Sequence, residues 1–329
     1  MKRIASKAAS LIGATILGLV VTTTAKASTS VDFPRGSVTV ISPYAPGGIN
    51  DIVARLLSSD ISKTLKQPVV VMNRAGGGGA IGASELARAK PDGHTVMLGA
   101  LGPLAVTKLI NPSLPYDPRD FTPIIEVGRA PMILAVNAKL NINSVDELLD
   151  RIKHDPKKWN YGSAGIGSPQ HLSGVLFNRK LGTELTHVAY RGSGPAAVAL
   201  ASGEIQVEFE NLPPLLPHIQ SGAIKPIAVL APERMEMLPE VPTMKELGVT
   251  DLEVSGWYGF VAPPQTPPAV VRILFDATRA ALDAPETKKR LVGFGIVKTA
   301  DTGEHFGALI RSEYDRWKPV IDAVDAKTP

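Results

Sequence analysis

Apolar runs broken by short glycine- and proline-rich stretches divide the chain into repeated strand–turn–helix units. The clearest is 37–57, SVTVISPYAPGGINDIVARLL. Its Val- and Ile-rich start predicts a buried strand, which Pro43, Pro46, Gly47 and Gly48 stop. Asn50 or Asp51 can then cap a helix whose apolar face is Ile52, Val53, Leu56 and Leu57. A second strand, 68–74, precedes five glycines within 75–82, and a third, 95–100, ends in Leu98-Gly99-Ala100. In a parallel, doubly wound sheet that end lies beside the PGG turn. Further strands are expected at 124–127 and 132–136, with a crossing into a second domain there.

Within that second domain Ser144 caps a helix carrying Val145, Leu148, Leu149 and Ile152. The strand 160–163 runs into Ala164-Gly165-Ile166-Gly167-Ser168-Pro169-Gln170-His171 and a helix over 172–179, with Ser168 as N-cap and Pro169 at the first helical position. A strand at 185–190, a turn at 191–195 and a helix at 196–201 follow. The strand 205–209 ends at Glu210-Asn211, with a helix at 215–219 and a strand at 227–230. The stretch 251–261 is long enough to return to the first domain. Two amphipathic helical stretches, 270–282 and 304–324, flank a shorter one and pack on the first domain's sheet. The pattern predicts an α/β protein of two hinged domains, each a sheet flanked by helices: 31–127 plus 256–329, and 128–255.

Lys2, Arg3 and Lys7, an apolar run over 8–21 and the small residues of Ala25-Lys26-Ala27 read as a secretory signal peptide, 1–27, cleaved after Ala27. The leader alters the charge argument. It holds four of the 35 basic side chains and no acidic one, which leaves 31 basic against 31 acidic residues. The basic pI therefore belongs to the leader and argues for no nucleic-acid partner. With no cysteine, disulfides, thiolate metal sites and Cys nucleophiles are excluded.

Strand, glycine turn, helix start aims backbone N–H groups and the positive end of a helix dipole at one point, where an anion fits. The chain builds this device twice, at Gly47-Gly48 and at 163–168. Two such turns facing across a hinge would hold a carboxylate with N–H donors and the Ser163 or Ser168 hydroxyls, each bond worth about 1.5–3 kcal/mol. The candidate site is Tyr44, Gly47, Gly48, Asp51, Ser163, Ala164, Gly165, Gly167, Ser168, Arg191 and Asn211. Tyr44 walls the cleft or is an ordinary packed tyrosine, Asp51 caps its own helix or orients a water or an amino group, and Arg191 is a solvated or structural arginine or pairs with a second carboxylate. Trp257 and Tyr258 read as hinge packing. Gly77, Gly79 and Gly82 satisfy G-x-G-x-x-G, but the loop follows the second strand and no acidic residue ends the third, so it reads as a turn at the cleft rim rather than a dinucleotide site. His171 and His187 lack a G-x-S-x-G elbow or an orienting acid, and the scattered histidines have no metal-binding spacing. No catalytic residue, metal or cofactor is assigned.

Nine runs, in order between residues 43 and 267, give the chain a family resemblance: PYAPGGINDIVARLL, QPVVVMNRAGGGGAIGA, KPDGHTVMLG, YDPRDFTPI, YGSAGIGSPQHLSG, THVAYRGSGPA, ENLPPLLPHIQSG, LPEVPTMKELG and GWYGFVAPPQTP. They resemble the periplasmic substrate-binding proteins of tripartite tricarboxylate transporters, the Bug-type receptors. The resemblance implies a two-domain Venus-flytrap fold, solute capture in the periplasm and delivery to membrane permease subunits; the expected protein is a monomer whose ligand is a small organic carboxylate (a di- or tricarboxylate, an aromatic acid or an acidic amino acid). It also implies that a ligand carboxylate is held by the PGG loop, partly through waters, and by the SAG-x-G-[ST] loop. Departures from the family pattern are Ala189, Val175 and Glu210, where Pro, Glu and Asp are frequent. A secreted hydrolase or a signalling receptor subunit on the same fold is the alternative.

Overall fold

The structure, a computed structural model, describes residues 31–252 and 254–323; the expected leader lies outside them. The strands are β1 Val38–Ser42, β2 Val69–Asn73, β3 Thr95–Ala100, β4 Thr122–Pro131, β5 Ile133–Asn137, β6 Asn160–Ser163, β7 Thr186–Ala189, β8 Val207–Glu210, β9 Ile224–Val229, β10 Ser255–Ala262 and β11 Val297–Thr302. The helices are α1 Ile49–Leu65, α2 Ala80–Arg88, α3 Thr107–Ile110, α4 Val145–His154, α5 Pro169–Leu181, α6 Ser193–Ser202, α7 Leu212–Gln220, α8 Pro268–Asp283, α9 Pro285–Gly293 and α10 Gly303–Ala323.

Two sheets result, ordered β11-β4-β10-β3-β1-β2 and β7-β6-β8-β5-β9. In the first, β1 lies parallel between β2 and β3, with Val40 opposite Val71 and Val96, so the ends of β1 and β3 meet at the PGG turn as the sequence predicts. The other half of this sheet is antiparallel. Its edge strand β11, VKTADT, is too polar for the hydrophobic pattern to have marked it.

The C-terminal helices return to this first sheet. Val270, Leu274, Ala277 and Ala281 of α8 join Val53, Leu57 and Ile61 of α1 in one cluster. Phe306, Ile310, Trp317 and Ile321 of α10 join Leu104, Ala105 and Val106 in another. Each fully buried Leu or Phe contributes about 1.5–3 kcal/mol. The second sheet has its own two layers. Leu148, Ile152, Tyr161, Phe177 and Phe209 pack together, and so do Ile133, Ala197, Leu200, Leu212 and Leu215.

Pairing carries the first sheet out to Pro131, opposite Ser255, and β5 of the second sheet begins two residues later. The two connecting segments are tied by Met132 N–H donating to Val254 O at 3.1 Å. Asn211 braces the same point: its Nδ2 donates to Ala130 O (3.0 Å) and Pro131 O (2.9 Å), and Tyr258 Oη donates to its Oδ1 (2.6 Å).

Candidate functional site

Helix α1 starts at Gly48, which supplies no side-chain cap. Its first N–H groups therefore keep no intrahelical acceptor and stay available to something in front of them. Gly47, with φ +84°, makes the turn, and its N–H donates to Asp51 Oδ2 at 3.1 Å. Asp51 also accepts from Arg55 Nε (2.9 Å) and Asn73 Nδ2 (3.0 Å). Burial raises its pKa, but the Arg55, Asn73 and Gly47 bonds together with the Arg55 charge outweigh that and leave it lowered. Asp51 is thus an anion committed to holding its own turn. Asn73 Nδ2 also donates to Tyr44 O, and Asn50 Nδ2 donates to Leu98 O, which docks the turn on β3.

The second turn forms as predicted at its cap: Ser168 Oγ accepts from His171 N–H at 3.3 Å, with Pro169 at the first helical position. Ser163 Oγ is occupied within its own loop. It accepts from Gly165 N–H (3.0 Å) and lies 2.6 Å from His187 Nε2. His187 stacks on His171 with centroids 4.3 Å apart, and His171 Nδ1 accepts from Gly167 N–H at 3.2 Å. Burial lowers the pKa of His171 to about 4; burial and the neighbouring His171 lower that of His187 to about 3. The pair is a neutral prop behind the loop.

The turn expected at 191–195 proves to be a third of the same kind, a role the sequence did not assign to it. Helix α6 begins at Ser193, three residues earlier than expected, after an N-cap Gly192 with no side-chain cap. Its Ala-rich sequence has no apolar stripe to mark the start. Here the two sheets' loops touch directly. Ala45 N–H donates to Arg191 O at 3.1 Å, and a Cβ on Gly192 or Gly194 would lie 2.8 Å from Ala45 N or Pro46 O. Across the cleft, a Cβ on Gly78 would lie 1.9 Å from Ile166 O, and Tyr44 Oη donates to Gly78 O at 3.2 Å. The 76–79 loop is therefore a rim element.

Between these two seams lies a small pocket lined by Tyr44, Gly48, Ile49, Asn50, Ala100, Ala164, Pro169, Gln170, Ser193 and Tyr258. The starts of α1, α5 and α6 all reach it. It offers about 10 Å³ to the centre of a water, so a solute with a carbon skeleton enters only when the walls separate. A larger groove, about 710 Å³, runs between the 231–237 loop and α9–β11 and contains none of the predicted residues. Size alone would select it; the converging donors select the small pocket.

Tyr44, Gly48 and Ala164 of the predicted set line the pocket. Gly47, Asp51, Ser163, Gly165, Gly167 and Ser168 shape its turns from behind. Arg191 is exposed, and its carbonyl rather than its guanidinium makes the contact described above. Asn211 spends its side chain on the strand connection. The polar lining residues missed are Asn50, Gln170, Ser193 and Tyr258, the last read from the sequence as hinge packing alone. Gln170 Nε2 donates to Glu210 Oε1 (2.8 Å) and Oε2 (3.0 Å) and lies 3.1 Å from Ser193 Oγ; Asn211 N–H also donates to Glu210 Oε1 at 2.8 Å. Glu208, two residues back on the same face of β8, is fully buried with neither oxygen bonded among the described residues. Burial, reinforced by Glu210, pushes Glu208 well up; burial also raises Glu210, partly offset by the Ser193, Gln170 and Asn211 bonds.

Two sheets joined by paired strand connections, with helix starts from both converging on one pocket, define a two-domain solute-binding protein. The family model for the tripartite tricarboxylate transporter family receptor matches residues 53–326, and the chain belongs to that family. It is 35% identical to protein BugT of Bordetella pertussis over 297 residues, covering 90% of this chain and 91% of that one. Among solved structures, MatC of Rhodopseudomonas palustris with bound malate superposes with a TM-score of 0.84 at 33% identity, covering 88% of this chain and 99% of that one. A second R. palustris protein, with adipate, gives a TM-score of 0.85 at 34% identity, covering 88% and 98%. The chain is a solute-binding receptor of the Bug type.

Proposed function

We propose that this receptor captures a small organic carboxylate in the periplasm and delivers it, as a monomer, to the membrane permease subunits of a tripartite tricarboxylate transporter. The carrying observation is the convergence of three helix starts, at Gly48, Ser168 and Gly192, on one pocket walled by both sheets. Aligned dipoles and N–H groups without intrahelical acceptors favour an anion there. Malate and adipate in the two related structures agree with that chemistry.

In this reading residues 1–27 are a cleaved leader. The domains are 31–127 plus 256–329 and 128–255, with strand pairing favouring a first crossing a few residues later, at Pro131, and a second at the expected boundary, Ser255. The PGG and 163–168 turns, with Tyr44 and Ala164, form the carboxylate site. The receptor works without catalysis. Ser163 and its histidine neighbours serve the loop, and neither histidine is bonded to a carboxylate among the described residues. Ligand contacts donors on both lobes, so it favours the closed arrangement by differential contacts.

Titration calorimetry against a panel of di- and tricarboxylates and aromatic acids tests the reading, with neutral sugars as controls. Heat of binding with at least one carboxylate and none with sugars is the expected result. Binding of sugars alone would overturn it.

A further inference from the structure

Three helix starts turn backbone donors toward the pocket, yet one residue of its lining, Gln170, carries an acceptor with nothing to accept. Gln170 is 3% exposed, and its Nε2 is committed to both oxygens of Glu210 and to Ser193 Oγ. Its Oε1 is buried without a partner. Of the buried polar atoms lacking a partner among the described residues, it alone belongs to a residue lining this pocket. Leaving such an atom unmatched is costly, so it marks a place where a ligand donor belongs.

The orientation of the amide is dictated by its neighbours. With Glu210 ionised, its carboxylate only accepts, from Asn211 N–H and from Gln170 Nε2, so the amide nitrogen faces it and the oxygen turns away. Gln170, Ser193 and Glu210 all sit on elements of the second sheet, so this arrangement survives separation of the lobes.

We propose that Gln170 Oε1 accepts a hydrogen bond from a hydroxyl on the carbon beside the captured carboxylate, so that the ligand is a 2-hydroxy acid. This rests on carboxylate capture at the same pocket. A hydroxyl suits the position better than an ammonium. One neutral acceptor satisfies one O–H, whereas an ammonium brings three donors and a positive charge toward three helix N-termini. Glu210 is the positioning residue, holding the amide from behind.

Matched pairs test this by calorimetry on the purified protein: malate against succinate, 2-hydroxyglutarate against glutarate, and mandelate against phenylacetate, with aspartate as the amine counterpart of malate. The expected result is a preference of at least about tenfold for the hydroxy member of the pair that fits. In Gln170→Leu the ratio falls toward one. In Glu210→Asp, which withdraws the carboxyl by one methylene, it narrows, whatever happens to overall affinity. Melting curves show whether each variant is folded. Equal affinity within every binding pair overturns the inference and leaves carboxylate capture standing. A preference that persists in Gln170→Leu overturns it as well, as does aspartate bound more tightly than malate. If no carboxylate binds, both readings fall.

Discussion

Gly78 of the first lobe lies against Ile166 of the second so closely that a β-carbon on Gly78 would sit 1.9 Å from the Ile166 carbonyl oxygen. Backbone meets backbone there, and neither can yield by changing rotamer. Gly78→Ala should therefore obstruct closure while leaving each lobe intact. The alanine also adopts φ near +61°, a strain of about 1 kcal/mol. Ligand affinity should fall by about 100-fold, equivalent to about 2.7 kcal/mol. Calorimetry measures the loss, and unfolding without ligand shows that stability changes by no more than the local strain.

The opposite seam gives a second prediction. A β-carbon on Gly48 meets Ser193 Cβ at 3.4 Å, tight but without collision, so the branches of a larger side chain decide the outcome. In Gly48→Val they occupy the place in front of the α1 N–H groups. Binding should be lost with the fold retained, while Gly48→Ala should weaken it by about tenfold or less. Retained affinity in the valine variant would remove the PGG turn from the site.

His171 and His187 make the protein acid-sensitive. Folded, they stay neutral down to about 4 and 3, whereas unfolded they protonate near 6.5. Between pH 6.5 and 4 the unfolded chain binds more protons, so these groups cost stability as pH drops through that window and not above it. His171→Gln keeps an acceptor for Gly167 N–H but does not titrate. Its denaturant-derived stability should be less steep on the acid side by about one proton, about 1.4 kcal/mol per pH unit.

Local rules made much of this legible. The PGG and SPQH turns, the caps at Ser144 and Ser168 and the return of the C-terminal helices follow from glycine, proline and apolar spacing. What stayed hidden depended on partners distant in the chain or on weak periodicity. Helix α6, SGPAAVALAS, is small and apolar all round, so the turn before it was legible but the helix's true start, and with it the turn's place at the pocket, was not. Gln170 and Glu210 are 40 residues apart, and nothing in either segment announces their contact. Asn211 ends a strand near the cleft, as a ligand residue would, but only the fold shows its side chain holding the strand connection.

Glu208 should act in the opposite pH direction to the histidines. The unfolded carboxyl ionises near 4.5, while the folded one, buried and unbonded beside Glu210, holds its proton well above that. Above pH 4.5 the folded state therefore binds the extra proton, and stability declines by about 1.4 kcal/mol per pH unit until the folded carboxyl ionises. Glu208→Leu removes the group in favour of a side chain of similar size. It should be more stable than the parent at pH 8, by a margin that shrinks toward pH 4.5. Urea unfolding across that range measures both slopes. An unaltered slope in the variant would mean that Glu208 is ionised in the folded protein and that its charge is compensated there.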